Sequence, residues 1–341
     1  AIMYIGNRVA HGQVEEYRIQ KAENIIDRNF LPHIGRTIEK RVEKALFLGE
    51  MACRVIELKL GRRRPDDKDH FKNKRLKLAG PLLADLFRIA FRNLCRDIKY
   101  QLERMGVKRQ MITVSAAVRP GIITDRLQHA LATGNWGRGR VGITQLLDRT
   151  NTVSTLSHLR RLQSPLSRSQ PNFEARDLHP THWGRLCPNE TPEGSNCGLV
   201  KNLALAACTS VSVDPEKMKQ SLCRMGVVPV QETNEALRVS GAKVFVDGCI
   251  IGYCISPQEL VDELRRKRKS GEISAEINVA HFSKLYGERE EIYVNCDEGR
   301  VRRPLIVVEN GVAKLQPEHI EKIRSEEWTW ESLIKPGIIE Y

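Results

Sequence analysis

The stretch ARDLHPTHWGRLCPNETPEGSNCGLV, residues 175–200, is the most irregular part of the sequence. Prolines and glycines interrupt it, between segments of regular hydrophobic period. Four soft ligands in this stretch could close a tetrahedral zinc site: His179, His182, Cys187 and Cys197. Glu190 and Glu193 could form an acid/base pair. The cysteines lie far apart and prolines stiffen the segment between them. An irregular loop that a larger assembly holds in place is the third possibility, and spacing alone does not decide among them.

Upstream of this loop the sequence has helical periodicity. The spacing of apolar residues predicts three helices, at Val14–Phe30, Thr37–Gly61 and Pro81–Gly106, the last with proline in its first turn and glycine past its end. The charged connector between the second and third helices could hold a metal through Asp66, Asp67, Asp69 and His70. A solvated polar turn with ion pairs is the favoured interpretation of that connector.

Downstream of the loop the period changes from helix to strand. Two β-branched runs around Asp247-Gly248 predict a hairpin, and residues 291–311 predict a second strand pair. A capped helix with a basic end at Arg265–Lys269 lies between them, where cations suit the helix dipole. The sequence thus predicts a mixed α+β, multidomain chain: a helical first third, an irregular middle with loops, and a β-rich last third.

Charge and composition restrict the classes of function. The 341 residues carry 55 Lys+Arg against 42 Asp+Glu, a net charge of +13, which favours a polyanionic partner such as nucleic acid. No apolar run approaches the ~20 residues that a bilayer span needs, and the first residues lack the features of a secretory signal, so we expect no membrane and an intracellular protein. The nine cysteines are expected to be reduced and mostly buried.

A glycine-rich loop and an arginine-rich segment are the candidate nucleic-acid contacts. GRGRVG, Gly137–Gly142, matches G-x-G-x-x-G, but a helical pattern precedes it where a dinucleotide fold needs a strand. A loop presenting Arg138 and Arg140 to phosphates is the better interpretation. The following segment adds four arginines suited to phosphate and sugar contacts, with a surface basic strip as the alternative: Arg160, Arg161, Arg168 and Arg176.

Several stretches, in the same order, resemble one protein family. Residues 130–205, from ALATGNWGRGRVG to GLVKNLAL, resemble the fork region of the second-largest subunit of multisubunit DNA-dependent RNA polymerase. FLPHIG (30–35), DDKDHFKNKRLKLAG (66–80), GRVRRPL (299–305) and WESLIKPGIIEY (330–341) resemble other parts of that subunit. The sequences RSQPNFEARDLH and the short GNWGRGRVG are similar to those of archaeal members.

The resemblance implies a division of the chain into five parts. Residues 1–78 would be the end of a lobe-like domain, 79–113 protrusion-like helices, 114–207 the fork, 208–310 an external 1-like α/β domain and 311–341 the start of an external 2-like domain. The chain would then begin inside the lobe, so we expect either a split gene or a longer polypeptide.

The resemblance also implies roles for individual residues. Arg138 and Arg140 would face downstream DNA and help to keep its strands apart. Five residues would line the RNA side of the active centre: Gln145, Asp148, His158, Arg160 and Arg161. Glu190, Glu193 and Asn196 would lie near the RNA 3′ end, where they would orient arginines and substrate without acting as nucleophile or metal ligands.

The cofactor and the partners implied are those of the assembled polymerase. Mg²⁺ would be bound mainly by the largest subunit, no zinc is expected in this chain, and the chain alone should catalyse nothing. The implied partners are the largest subunit, the other subunits, the remainder of the second-largest subunit, template DNA, the RNA transcript and nucleoside triphosphates, in the cytoplasm. A freestanding basic nucleic-acid-binding module is the alternative, and a zinc hydrolase built on residues 179–197 is a third.

Overall fold

The computed structural model describes residues 2–107, 114–137, 140–170, 172–282, 290–334 and 336–341. The chain divides into two compact units, each made of two separate stretches. Unit 1 contains Ala1–Asp67 and Val211–Asp297, and unit 2 contains Lys68–Ser210 and Glu298–Tyr341. The mixed α+β, multidomain class predicted from the sequence is confirmed.

The three long helices predicted in the first third are confirmed with shifted ends. The first predicted helix is α2, continued by a π-helical turn at Ile25–Asn29, and a 3-10 turn at Ile38–Lys40 precedes α3. The α-helices of the described residues are α1 (Ile2–Val9), α2 (Glu15–Asn24), α3 (Arg41–Lys59), α4 (Ala79–Val107), α5 (Val114–Ala117), α6 (Ile122–Thr133), α7 (Thr152–Leu159), α8 (Phe173–Arg176), α9 (Pro215–Arg224), α10 (Glu235–Ser240), α11 (Pro257–Ser270) and α12 (Pro317–Arg324).

The strands are short and concentrate in the last third of the chain. They are β1 (Arg161–Gln163), β2 (Val200–Asn202), β3 (Cys208–Thr209), β4 (Val228–Pro229), β5 (Ala242–Val246), β6 (Cys249–Cys254), β7 (Asn278–Phe282), β8 (Glu291–Asn295), β9 (Val301–Arg302), β10 (Leu305–Ile306), β11 (Val308–Glu309), β12 (Val312–Ala313) and β13 (Ile339–Glu340).

Unit 1 is organised around a five-stranded sheet of order β4-β6-β5-β8-β7. The predicted hairpin is its β5–β6 pair, and Asp247 (φ 48°) and Gly248 (φ 81°) both adopt the positive φ that a type I′ turn requires. The helix α11 starts at a proline and ends before Gly271, which has φ 82°. Its buried face, Leu260, Val261 and Leu264, joins the core of the sheet.

The prediction that residues 291–311 form a second pair of strands is wrong, because the strands in this stretch do not pair with one another. The strand β8 lies between β5 and β7 in the sheet of unit 1. The next strands belong to unit 2, where β9 pairs with β3 and β10 pairs with β13. The chain passes from one unit to the other between Asp297 and Glu298, so consecutive strands enter different sheets.

Unit 2 has a helical core beside its small sheets. The long helix α4 packs on α6, and Leu86, Ala130 and Trp136 form the buried contact. The indole Nε1 of Trp136 donates to Thr144 Oγ1 at 2.8 Å, which ties the end of α6 to the segment that follows. The strands β1 and β2 pair antiparallel, with Arg161 opposite Asn202. This pair joins the arginine-rich segment to the end of the irregular loop.

The cysteines depart from the sequence-based expectation. None of the nine, all within the described ranges, forms a disulfide, but only Cys254 and Cys296 are buried, so the expectation that most would be buried is wrong. Those two lie in unit 1, whose core is the larger one, whereas Cys197 and Cys208 are exposed. Within the described ranges, no helix combines the length and the apolar character required to cross a membrane.

Candidate nucleic-acid interface

A polar turn at Asp148 starts the helix α7. Asn151 caps the helix by accepting a hydrogen bond from Ser154 N at 2.7 Å. The Asp148 carboxylate accepts from the Ser154 hydroxyl, from Thr150 N at 2.9 Å and from Thr150 Oγ1 at 2.7 Å. These hydrogen bonds lower the pKa of Asp148 to about 2. The carboxylate is therefore ionised at neutral pH and organises the turn from inside.

His158 links this turn to Gln145. Its Nδ1 accepts from Asp148 N at 3.1 Å, so the proton lies on Nε2, which is 3.0 Å from Gln145 Oε1. The amide nitrogen of Gln145 donates in turn to Gly142 O at 2.9 Å. The structure therefore brings together three residues that the sequence assigned to one surface, and it fixes the direction of the Gln145 amide.

The irregular loop is anchored to α7 through Ser157. The Ser157 hydroxyl donates to Glu190 Oε1, and the buried Asn202 side chain donates to Ser157 O at 3.0 Å and to Ser157 Oγ at 2.9 Å. Thr191 adds a second anchor, since its hydroxyl donates to Val200 O at 2.8 Å and accepts from Gly198 N at 2.9 Å. Glu190 is thus an exposed carboxylate in a fixed position.

Arg176 closes the loop from the other side. Its Nη1 donates to Ser195 O at 2.9 Å and to Cys197 O at 2.6 Å. Gly198 has φ 71° and packs so closely that a Cβ there would lie 2.5 Å from the Arg176 carbonyl oxygen. Gly194, with φ 76°, makes a tight bend in the same loop. Arg176 therefore stabilises the loop backbone with the donors that were expected to contact nucleic acid.

The other predicted arginines differ in how their donors are used. Arg160 Nη2 donates to Ala204 O at 2.5 Å, so this guanidinium also binds main chain. Arg161 and Arg168 are exposed, and neither side chain forms a hydrogen bond or ion pair with another described residue. These two remain available to an external phosphate.

Glu193 and Asn196 occupy different environments. Glu193 is exposed and its side chain has no polar partner among the described residues. Asn196 is half-buried, and its Oδ1 is shielded from solvent with no hydrogen-bond partner within the described part of the chain. An unsatisfied buried acceptor is costly, so Asn196 Oδ1 has an unused capacity to accept a hydrogen bond from a bound group.

The histidines of the loop serve local structure. The amide of Thr181 donates to His179 Nδ1 at 3.2 Å. His182 is buried with its ring 5.3 Å from that of Phe71, and burial lowers the pKa of His182 to about 4. In the described ranges, no three His, Cys, Asp or Glu side chains are grouped so that they could hold a metal ion. The zinc alternative therefore has no geometric support.

The carboxylates of the charged connector form ion pairs. Asp66 lies 3.7 Å from Arg63, and Asp69 lies 3.2 Å from Lys74. These pairs agree with the solvated polar turn that the sequence favoured.

Two described residues of the glycine-rich loop, Gly137 and Arg140, lie close together. Arg140 N donates to Gly137 O at 3.1 Å, and Trp136 N donates to Arg140 O at 3.0 Å. The Arg140 guanidinium reaches Asp85 of α4, with 3.1 Å between Nη1 and Oδ2. A helix, α6, precedes the loop, so the dinucleotide-binding interpretation fails. Arg138, the other predicted contact, lies outside the described residues.

The family models match three separate parts of the chain. RNA polymerase Rpb2 domain 2 matches residues 1–77, domain 3 matches 145–209 and domain 4 matches 244–309. The chain is 52% identical to the DNA-directed RNA polymerase subunit Rpo2 of Saccharolobus solfataricus, over 100% of this chain and 31% of that protein. It belongs to the RNA polymerase Rpb2 family.

Two further relatives carry the name of a shorter subunit. The chain is 58% identical to the DNA-directed RNA polymerase subunit Rpo2N of Methanothermobacter thermautotrophicus strain Delta H and 55% identical to that of Halobacterium salinarum strain R1, each over 67% of this chain. It spans 44% of each of those two proteins. The resemblance to archaeal second-largest subunits is confirmed.

Sequence reasoning missed Asp85 and Asn202, and the structural role of Ser157, at this candidate interface. Ser157 and Asn202 position Glu190, and Asp85 holds Arg140. Nothing local distinguishes them, because Asp85 is 55 positions from Arg140 and its role depends on how α4 packs. The antiparallel pairing of β1 with β2 could have indicated Asn202, since a buried amide at a strand end needs a partner.

Proposed function

We propose that this chain is the portion of an archaeal-type second-largest RNA polymerase subunit that supplies the fork and its neighbouring domains to DNA-templated RNA synthesis. The observation that carries the proposal is the 52% identity to Rpo2 over the whole chain. The domain boundaries expected from the sequence, at residues 78, 113, 207 and 310, are part of the proposal. So are the other polymerase subunits, DNA, RNA and nucleoside triphosphates as partners, and the cytoplasm as location.

The residues of the interface would divide the work between contact and support. Arg140, Arg161 and Arg168 would contact nucleic-acid phosphates, and Glu190 and Asn196 would lie near the RNA 3′ end. Asp148, Arg160 and Arg176 would hold the surface in shape, which the hydrogen bonds of all three side chains support. Polar groups fixed in advance lose little free energy to reorganisation when a substrate binds.

Mg²⁺ would act in the assembled enzyme, where two ions of this kind stabilise the attacking and the leaving oxygen of phosphoryl transfer. The described residues of this chain offer no cluster that fits such an ion. By the resemblance to the polymerase subunit, the largest subunit would hold the metal, and this chain would position RNA and nucleotide. Alone, the chain would not polymerise nucleotides.

Reconstitution of the polymerase tests the proposal. The chain, the remainder of the second-largest subunit and the other archaeal subunits are combined, and the assembled complex is assayed for RNA synthesis on a DNA scaffold. We expect a stoichiometric complex that makes RNA only when this chain is present. A chain that remains alone, with unchanged synthesis in its absence, overturns the proposal.

Glu190 provides the residue-level test. Glu190→Ala should lower the elongation rate about tenfold with assembly intact, because a small displacement of a positioned group near reacting atoms has effects of this order. Glu232→Ala, an exposed carboxylate of unit 1, is the control and should elongate at the parental rate. Equal rates for the two variants would remove Glu190 from the site.

A freestanding nucleic-acid-binding module is not favoured as the alternative. The relatives that match along the full chain are named as polymerase subunits. Stable behaviour as a lone chain in the reconstitution would be the observation in its favour.

A further inference from the structure

One helix face of unit 2 concentrates positive charge beside the glycine-rich loop. Asp85, Arg88 and Arg92 are spaced i, i+3 and i+7 on α4, so they lie on one face. Together with Trp136 and Arg140 they line a cavity of ≈ 80 Å³. At about 30 Å³ per water molecule, this volume has room for one small oxyanion.

The single carboxylate of this cavity is shared among several cations. Asp85 Oδ2 lies 3.1 Å from Lys77 Nζ and 3.1 Å from Arg140 Nη1, and its Oδ1 lies 3.5 Å from Arg88 Nη1. The side chains of Lys77 and Arg140 are the largest influences that lower the pKa of Asp85, so the carboxylate is ionised at neutral pH. Three cations compete for one negative charge.

Two further guanidinium groups add to the surplus. Arg92 lines the cavity and pairs with none of the described carboxylates. Arg126 of α6 lies next to Gly137, which lines the cavity: a Cβ on Gly137 would lie 3.0 Å from the Arg126 Nη2, and the buried Nε of Arg126 has no partner in the described part of the chain. Unmatched guanidinium groups around a small cavity favour a tetrahedral oxyanion, which accepts several N–H donors at once.

We propose that the cavity between α4 and the glycine-rich loop is a phosphate subsite in which Asp85 is the internal counter-ion. In the free chain Asp85 holds Arg140 on α4. A bound phosphate takes over Arg140 and Arg92, and Asp85 keeps Lys77 and Arg88. This inference rests on the proposed function for its natural ligand, a phosphate of nucleic acid or of a nucleotide.

Opposite effects of two substitutions test the subsite. The full 341-residue chain is titrated with a 5′-hydroxyl thymidine oligonucleotide by fluorescence anisotropy over a range of salt concentrations. Arg92→Ala should weaken binding, and the slope of log affinity on log salt should fall by about 0.7, the value for one single-strand phosphate. Asp85→Asn should tighten binding about threefold or more, because it removes the competing anion.

Arg104→Ala is the matched control, since Arg104 is exposed on the same helix and is not part of the cavity. It should leave both affinity and slope at parental values. Circular dichroism of all variants establishes that each is folded. If Arg92→Ala matches Arg104→Ala, or if Asp85→Asn weakens binding, the proposal is overturned.

Inorganic pyrophosphate separates the two sources of phosphate. If the subsite takes a backbone phosphate, the oligonucleotide binds in an Arg92-dependent manner and pyrophosphate competes with it. If the subsite takes a nucleotide phosphate, pyrophosphate binds in an Arg92-dependent manner and the oligonucleotide does not. Binding of neither overturns the subsite. If the chain assembles into an active polymerase but Arg92→Ala does not weaken phosphate binding, only this inference is overturned. If Arg92→Ala weakens phosphate binding but the chain does not assemble, the proposed function is overturned instead.

Discussion

At the scale of single residues, Asp148 gives unit 2 a defined pH dependence. Its pKa is about 2 in the folded chain, against about 3.9 in an unfolded one. A lowered pKa means that the ionised form stabilises the fold above about pH 4, and that this contribution is lost as the pH falls toward 2. Asp148→Asn should therefore lower the Tm at pH 6, and the difference from the parent should vanish near pH 2. Asp177→Asn, which removes no side-chain hydrogen bond between described residues, should show no such pH-dependent difference.

A comparison of Gly198 with Gly194 distinguishes the cost of backbone strain from the cost of close packing. Both have positive φ, so alanine costs about 1 kcal/mol at either position. Only Gly198 has a neighbour in the way, the Arg176 carbonyl oxygen 2.5 Å from an added Cβ, whereas nothing lies within 4 Å at Gly194. Gly198→Ala should lower the free energy of unfolding by about 3 kcal/mol or more, and Gly194→Ala by about 1 kcal/mol. Urea denaturation measures both, and equal losses would contradict the close approach.

At the scale of elements, a buried ion pair attaches α3 to β5 in unit 1. Lys243 Nζ lies 2.8 Å from Glu50 Oε2, with side chains 5% and 14% exposed, and Arg54 Nε lies 2.9 Å from the same carboxylate. Lys243→Met leaves Glu50 without its most buried partner and should cost about 3 kcal/mol of stability. The double variant Glu50→Gln, Lys243→Met should recover part of that loss, because it leaves no unpaired charge from this pair. If the effects of Glu50→Gln and Lys243→Met on the free energy of unfolding simply add in the double variant, the two groups do not interact.

An element could be predicted from the sequence when the residues that determine it lie close together in the chain. The hairpin β5–β6 follows from two β-branched runs and an Asp-Gly turn, all close together in the sequence. The pairing of β8 with β5 has no local signal, because β6, α11 and β7 lie between the two strands in the sequence and the following strand β9 enters another sheet. The ion pair of Lys243 with Glu50 joins residues 193 positions apart and is invisible for the same reason.

At the scale of the whole molecule, sequence motifs predicted the family and the surface, and tertiary packing decided the use of each side chain. The resemblance in the fork placed Gln145, Asp148 and His158 on one surface, and the hydrogen bonds among them agree. The clustering of arginines in residues 160–176 predicted nucleic-acid contacts for Arg160 and Arg176, whereas their donors bind main-chain carbonyls. An arginine's partner depends on which carbonyls the fold brings within reach, and that is a property of the assembled unit.

An apolar stripe on α4 is one of the exposed apolar surfaces of unit 2. Phe87 and Phe91 are 47% and 49% exposed, and their rings stack at 6.0 Å, beside Leu83 at 43%. Exposed apolar side chains in contact with one another favour burial against a partner, which under the proposed function is another polymerase subunit.

Phe87→Ser with Phe91→Ser should leave the Tm of the isolated chain within a few degrees of the parent. Because burying one Phe contributes about 1.5–3 kcal/mol, the double variant should weaken assembly at least tenfold in a pull-down titration. Tyr100→Ser on the same helix, a single exposed aromatic residue, is the control, and equal retention of the two variants would show that the stripe faces solvent in the complex.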